Sequence, residues 1–346
     1  MAANVPLERL EECVRRLTGQ SESPPIVEMP GGGSSRRFYR VTLEPDRSAV
    51  AMYVPDATRS DEIVKNDEAG RRWSFLEVRD LLQERGIRVP FVLAEACEDG
   101  FVLLEDLGDD TLAQYLSQYP AARVKLYRSA VRDLARAQRA LADLPRRSII
   151  ASRALDEDLL AWEMDHFREW GLEARDIRLS DRDRRTFDEA SSHIARLVAS
   201  WPRGFVHRDY QSRNLMVREV NGEPELVWID FQDALLGPRV YDLVALLNDS
   251  YQVFERPFIE ERLDEYAHEL GLDAEHRQAL GREFDVVTIQ RKLKDAGRFV
   301  YFDRVKNNPN FLRFVEPTIQ KARLALARVE HDAKLRALAE LLDRLL

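Results

Sequence analysis

Three short apolar runs stand close together in the second half of the chain: Phe205-Val206, Leu215-Met216-Val217 and Leu226-Val227-Trp228-Ile229. Between the last two lies Asn221-Gly222, a dipeptide that accepts the positive φ values of a two-residue turn, so the spacing predicts an antiparallel hairpin. This register constrains the fold more than any other feature. It sets Asn214 at the start of one strand and Asp230 just past the end of its partner, and an antiparallel pair brings such ends together. Residues far apart in sequence can then share one metal ion.

The residues around these strands are polar: His207-Arg208-Asp209-Tyr210-Gln211-Ser212-Arg213-Asn214 on one side, Asp230-Phe231-Gln232-Asp233 on the other. Taken singly, His207-Arg208-Asp209 suits a surface turn and Asp230 a helix cap. Taken together they suit transfer of a γ-phosphoryl group, which requires positioning and charge neutralisation rather than covalent chemistry from the protein. One carboxylate must face the acceptor hydroxyl, and Asp209 fits. Two oxygen ligands must hold Mg²⁺ against the phosphates. Asn214 offers an amide oxygen and Asp230 a carboxylate, both suited to a hard cation.

The 346 residues are too many for one small core and fit two lobes. Composition, 45% hydrophobic and 33% charged, is that of a soluble globular protein. A net charge of −9 argues against a nucleic-acid partner, because phosphate backbones want a basic face. Cys13 and Cys97 have no zinc-like spacing, so two buried or half-buried free thiols in a reducing compartment are expected. No secretory leader and no membrane-length apolar run is read, which places the expected location in the cytoplasm.

Residues 6–18 carry Leu7, Leu10, Val14 and Leu17 at helical spacing. Ile26-Val27, Phe38–Val41, Ala49–Val54, Val89–Ala94 and Phe101–Leu104 read as strands, with a charged helix over 61–85 between the third and fourth. The turn Gly31-Gly32-Gly33-Ser34-Ser35 offers backbone N–H groups at close approach, which suits a phosphate cover. By itself such a segment is more often a plain turn. From Thr111 onward the pattern is helical. Val124, Tyr127, Val131, Leu134 and Leu141 form one stripe, and Leu159, Trp162, Met164 and Phe167 a less regular one. Helices are also expected over 182–200, 259–270, 276–306 and 316–345. The last carries the stripe Leu335, Leu338, Leu342, Leu345, which should close the helical lobe.

A small antiparallel-sheet lobe followed by a mainly helical lobe, an α+β arrangement, resembles the two-lobed protein-kinase-like fold. The motifs resemble its aminoglycoside-phosphotransferase branch, which acts on small molecules. Asp230 is followed by Phe-Gln rather than Phe-Gly, and no Ala-Pro-Glu closes an activation segment. Residues 32–40, 51–55, 100–108, 207–217, 229–234, 237–238 and 241–243, with a looser echo in Gln290-Arg291-Lys292-Leu293-Lys294, resemble the kinases that phosphorylate the anomeric hydroxyl of N-acetylmuramate and N-acetylglucosamine in bacterial cell-wall recycling.

That resemblance implies ATP and Mg²⁺ as cofactors and a small sugar as acceptor. It implies an N-terminal nucleotide-covering lobe over 1–105 and a helical lobe with catalytic loop and acceptor site over 106–346. Asp209 would orient the sugar hydroxyl and take its proton late. Asn214 and Asp230 would bind Mg²⁺. Gly32, Gly33, Ser34 and Ser35 would cover the phosphates, and the hinge from Glu105 to Leu107 would meet the adenine edge. Asp242 would be structural and bonded to the catalytic loop. Kinases of this fold usually carry a lysine on the third strand, whereas Ala49-Val50-Ala51-Met52-Tyr53 has none. The phosphate charge would then be met by Mg²⁺, loop N–H groups or an arginine such as Arg36 or Arg37, unless both arginines are solvated strand residues. For the acceptor, Arg213, Gln232, Asp233 and Glu163 are candidates, since sugars are held by planar amide, carboxylate and guanidinium groups. Tyr210, Gln211, Trp162 and His166 stand near them in sequence, Trp162 being more often core packing and His166 a satisfied surface histidine. Two alternatives stay open: another small-alcohol kinase of the branch, of aminoglycoside, choline or homoserine type, and a pseudokinase, which the missing lysine motivates.

Overall fold

The computed structural model describes residues 7–19, 24–30, 36–55 and 73–346. The Gly32, Gly33, Ser34 and Ser35 expected over the phosphates lie outside these residues, as does the 61–72 part of the expected charged helix. The chain divides into two compact units, Met1–Thr111 with Met216–Gln232, and Leu112–Leu215 with Asp233–Leu346.

The first unit is built on a five-stranded antiparallel sheet of order β1-β2-β3-β5-β4. Its strands are β1 (Ile26–Glu28), β2 (Arg37–Glu44), β3 (Arg47–Tyr53), β4 (Val92–Ala96) and β5 (Phe101–Glu105). Phe38 pairs with Met52, and Met52 with Val102. Side chains alternate across the sheet. One face sends Tyr39, Val41, Ala49, Ala51, Phe101 and Leu103 against Leu10, Cys13 and Val14 of helix α1 (Leu7–Thr18). Strand β4 starts three residues later than expected, because Pro90 has no N–H to give a ladder. Helix α2 spans Ser74–Glu84 and is entered from Trp73 at φ −52°, ψ 133°. An extended residue there rules out one helix running through 73, and corrects the expected span. Its apolar face, Phe75, Leu76, Val78, Leu81 and Leu82, is buried. Strands β7 (Leu215–Val220) and β8 (Glu223–Trp228) form the expected hairpin. Its turn has Asn221 at φ 54° and Gly222 at φ 80°, the positive pair that a two-residue connection requires.

The second unit is helical: α3 (Leu112–Gln118), α4 (Arg123–Ala140), α5 (Glu157–His166), α6 (Asp181–Ala199), α7 (Tyr241–Leu247), α8 (Arg256–Leu270), α9 (Ala274–Lys306), α10 (Val315–Arg328) and α11 (Ala333–Leu345). A two-stranded sheet joins β6 (Arg203–Val206) to β9 (Leu235–Pro238). On α4, Tyr127, Val131 and Leu134 are buried as their spacing demands, while Val124 is exposed. On α5 the buried positions are Leu160, Glu163 and Met164, so Trp162 faces outward and is not core. The helix expected over 316–345 is two helices. Asp332 ends the break between them by capping α11, accepting the N–H groups of Lys334 and Leu335. Leu335, Leu338 and Leu342 are buried and α11 packs on α6, which closes this unit as expected.

The middle of α9 departs from ordinary amphipathic patterning. Gln290, Arg291, Lys292 and Lys294 are all buried there, alongside Ile289 and Leu293. A helix that buries polar residues on several faces must supply partners for them. Gln290 finds its partner in Glu163, Lys292 and Lys294 in Asp295, and Arg291 in the loop that follows β6.

Candidate active site

Strand β6 ends at Val206, and the loop begins with His207 and Arg208. Arg208 sits at φ 80°, a left-handed conformation that costs a non-glycine residue about 1 kcal/mol or more. Asp242, in the first turn of α7 and fully buried, holds it there. Its Oδ2 accepts the His207 N–H at 2.6 Å and its Oδ1 the Arg208 N–H at 3.0 Å. Burial pushes the Asp242 carboxyl up to about 7, against the opposing pull of those two N–H groups and of Arg291. The expected structural role of Asp242 is the one found.

The rest of the loop is pinned at every turn. The buried Tyr210 hydroxyl donates to the Ala130 carbonyl at 2.9 Å. The Ser212 N–H donates to Asp249 at 3.2 Å, and its hydroxyl makes a second, shorter bond to the same carboxylate. Asn214 donates its Nδ2 to the Asp209 carbonyl at 2.8 Å. A carbonyl accepts only from the nitrogen, so this bond fixes the amide and turns Oδ1 to the other side.

Asp209 itself is 40% exposed, and beside it Arg291 is 3% exposed. Arg291 donates Nη1 to the Arg208 carbonyl at 2.7 Å and Nη2 to Asp209 Oδ1 at 3.2 Å. Its guanidinium also lies 4.7 Å from the centre of the Tyr241 ring. One residue thus fixes the backbone before Asp209 and the Asp209 carboxylate itself. Burial works to raise the Asp209 pKa. Arg291, Lys294, Arg208 and Arg298 together outweigh it and hold the carboxyl at about 2. Arg291, Lys294 and Arg298 recur at helical spacing on one face of α9. Lys292 is turned elsewhere, donating to Asp295 at 2.7 Å and Ser250 at 3.1 Å.

The acceptor candidates are distributed unevenly. Glu163 is buried, accepts Gln290 Nε2 at 2.7 Å and lies 3.7 Å from Arg208 Nη2, so its carboxylate is taken up by the loop's own support. Arg213 is exposed, with its guanidinium 3.5 Å from the centre of the Tyr251 ring. Trp162 is 54% exposed, and its ring stacks on His166 at 5.6 Å. Asp233 is half-buried.

In the first unit, Asp230 follows β8 at φ 64°. Phe231 beside it is fully buried and stacks on Phe75 of α2 at 5.1 Å, which anchors the segment. Gln232 donates Nε2 to Asp230 Oδ1 at 2.9 Å, and Arg36 Nη1 lies 4.0 Å from the same oxygen. Arg37 instead donates to Glu28 on β1, at 3.0 and 2.6 Å. At the end of β5 the Glu105 carboxylate accepts from Arg88 at 2.7 and 2.9 Å and also from Arg218. The Glu105 N–H donates to the Phe91 carbonyl at 2.9 Å. Leu107, two residues on, is half-buried. As donors, the Asn214 amide oxygen and the Asp230 carboxylate are the hard oxygens that Mg²⁺ takes.

Residues 26–280 match the pattern of the phosphotransferase enzyme family. The chain belongs to that family. It is an enzyme that phosphorylates an alcohol. This phosphotransferase is 31% identical over 339 residues to an N-acetylmuramate/N-acetylglucosamine kinase of Pseudomonas aeruginosa, across 94% of this chain and 92% of that protein. It is 30% identical over 292 residues to a kinase of the same name from Neisseria meningitidis, across 81% and 80%. Among solved structures it is similar to the ADP-bound aminoglycoside phosphotransferase APH(2'')-Ib, with a TM-score of 0.57 at 17% identity over 90% of this chain and 97% of that one. That last likeness is one of fold, and bears out the two-lobed protein-kinase-like reading. Among the described residues no helix is long and apolar enough to cross a membrane.

Arg291 is the residue beside Asp209 to which reading motif by motif gives no role. It lies 82 residues beyond Asp209. The signal for it was the run Gln290–Lys294 itself, where the apolar stretch Val286–Ile289 gives way to Gln290, Arg291, Lys292 and Lys294.

Proposed function

We propose that this phosphotransferase is an ATP- and Mg²⁺-dependent sugar kinase acting on the anomeric hydroxyl of N-acetylmuramate or N-acetylglucosamine. It would yield the sugar 1-phosphate for peptidoglycan recycling in the cytoplasm. The observation that carries the reading is the Asp209–Arg291 pair in a loop locked by Asp242, together with the relative named for these sugars across almost the whole chain.

In this reading the acceptor oxygen forms a bond to the γ-phosphorus and the bond to the β,γ-bridging oxygen breaks. The acceptor proton passes to Asp209. A carboxylate held at about 2 is a weak base, so it orients the hydroxyl first and receives the proton late, when the phosphoryl group is already largely transferred. The Asn214 Oδ1 and the Asp230 carboxylate would hold Mg²⁺, which when bound screens the phosphate oxygens. Ser34 and Ser35, with Gly32 and Gly33, would cover the phosphates. The Glu105 carbonyl and Leu107 N–H are the hinge groups for the adenine edge, since the Glu105 N–H is already bonded.

The cationic face of α9 bears on the acceptor. Arg291, Lys294 and Arg298 all act on Asp209. A positive wall favours an acceptor carrying a carboxylate, as N-acetylmuramate does in its lactyl group, over a polycationic aminoglycoside. Arg213, Gln232 and Asp233 remain the proposed hydroxyl contacts, with Glu163 acting through Arg208. The test is ³¹P NMR of the protein with Mg·ATP and, separately, N-acetylmuramate, N-acetylglucosamine, a neutral hexose and an aminoglycoside. A sugar 1-phosphate signal split by an anomeric proton is expected with the first two. Transfer only to the aminoglycoside sinks the reading. Intact ATP with every acceptor favours the pseudokinase that Met52 suggests.

A further inference from the structure

A nucleotide triphosphate brings about four negative charges and Mg²⁺ offsets two, so a protein cation is needed near the terminal phosphates. Strand β3 does not supply one. Near its end stands Met52, 1% exposed, and its cation, Arg47, stands at the opposite end. The residue that leads into the neighbouring strand β2 is the alternative. Arg36 precedes Phe38 by two residues, and Phe38 is the register partner of Met52, so alternation puts Arg36 on the same face as Met52. Arg37 takes the other face, where it bonds Glu28 and lies 6.0 Å from the Tyr39 ring. Arg40, next on the Arg36 side, is committed to Asp106 and Asp109. The side chain of Arg36 is only 18% exposed, and its Nη1 lies 4.0 Å from Asp230 Oδ1. It is not a solvated strand residue.

The Arg36 guanidinium, 4.0 Å from Asp230 Oδ1, stands beside the carboxylate proposed to hold Mg²⁺, within side-chain reach of phosphate oxygens bound to such an ion. We propose that Arg36 is the residue that binds the terminal phosphates of the nucleotide, taking over, from the position just before β2, the charge that Met52 leaves out of β3. The planar fork of arginine suits this position, since it can meet two phosphate oxygens at once. The inference rests on the kinase reading for the presence of a nucleotide, and on the Arg36–Asp230 geometry for the residue.

The experiment is calorimetric titration of the full chain with Mg·ATP and with AMP, which lacks the β- and γ-phosphates. Arg36→Met is expected to weaken ATP about ten- to a hundredfold, the loss of charge-assisted hydrogen bonds, and leave AMP unchanged. Arg37→Met should change neither. Arg36→Met with Met52→Lys should regain most of the ATP affinity, because the charge returns from the adjacent strand on the same face. Arg36→Lys, which keeps charge but loses the fork, should fall between wild type and Arg36→Met. Wild-type ATP affinity in Arg36→Met overturns the assignment, as does an equal loss of ATP and AMP. A wild-type protein that binds neither nucleotide overturns the kinase reading with it. Wild-type binding of both, unchanged in Arg36→Met, overturns this inference alone.

Discussion

Arg291→Met should move the acid limb of the reaction and not only lower its rate. Arg291 makes two hydrogen bonds, to the Arg208 carbonyl and Asp209 Oδ1, and covers the Tyr241 ring. Arg291 is buried but Asp209 is 40% exposed, so losing these bonds costs about 1.5–3 kcal/mol, the range for hydrogen bonds to charged groups. The sharper readout is Asp209. Burial raises its pKa and Arg291 is the largest of four opposing influences, so without Arg291 the carboxyl rises from about 2 toward its ordinary 3.8. The active form is the carboxylate, so activity is lost as pH falls through that value. At pH 3.5 a group of pKa 2 is about 97% ionised and one of pKa 3.8 about one third, a threefold difference in the competent fraction. Quenched-flow single turnovers from pH 3.5 to 7.5, each protein normalised to its own rate at pH 7.5, measure this directly, and the titration of ATP divides out. Arg291→Lys keeps a charge without the fork, so it should hold the acid limb near wild type while still turning over slowly. An acid limb for Arg291→Met that coincides with wild type refutes the claim that this arginine sets the state of Asp209.

Asp209→Asn is expected to lower transfer at least about a hundredfold, roughly 2.7 kcal/mol of barrier, with ATP affinity kept by calorimetry. Asp230→Ala should weaken Mg·ATP itself, and an unchanged affinity would count against it as a metal ligand. Gly297→Ala adds a Cβ 2.9 Å from the His166 carbonyl and the Phe167 Cα, where α9 crosses the end of α5. The backbone on that side cannot give way cheaply, so thermal unfolding should show a loss of about 1–3 kcal/mol. Asp332→Ala removes the α11 cap and the partner of His193 at 2.8 Å, which urea unfolding should register as about 1–2 kcal/mol.

Short-range chemistry was readable in the sequence. Asn221-Gly222 encodes its own φ values, and the hairpin followed from it. Periodicity placed Tyr127, Val131, Leu134 and Leu335 in cores that the folded chain buries. Errors came where neighbours in space, not in sequence, decide. Nothing local tells that Trp162 is exposed while Glu163 is buried. Glu163 is kept inside by Gln290 from another helix. The break between α10 and α11 has no glycine or proline, and only the capping power of Asp332 marks it. The surroundings of Arg36 and Arg291 needed the folded chain as well. Both are arginines among many, and what distinguishes them is the carboxylate each one meets.

Helix α1 has a consequence for how this protein is handled. It contributes nothing to the chemistry, yet Leu10, Cys13 and Val14 cover an apolar patch formed by Tyr39, Val41, Ala49, Ala51, Phe101 and Leu103. A shortened version beginning near residue 24 would retain Asp209, Asn214 and Asp230 and still uncover that patch along a β-sheet. Exposed apolar surface on paired strands invites self-association. Such a protein would be lost as insoluble material, and an assay of what remained would mistake a missing lid on the sheet for a missing catalytic group.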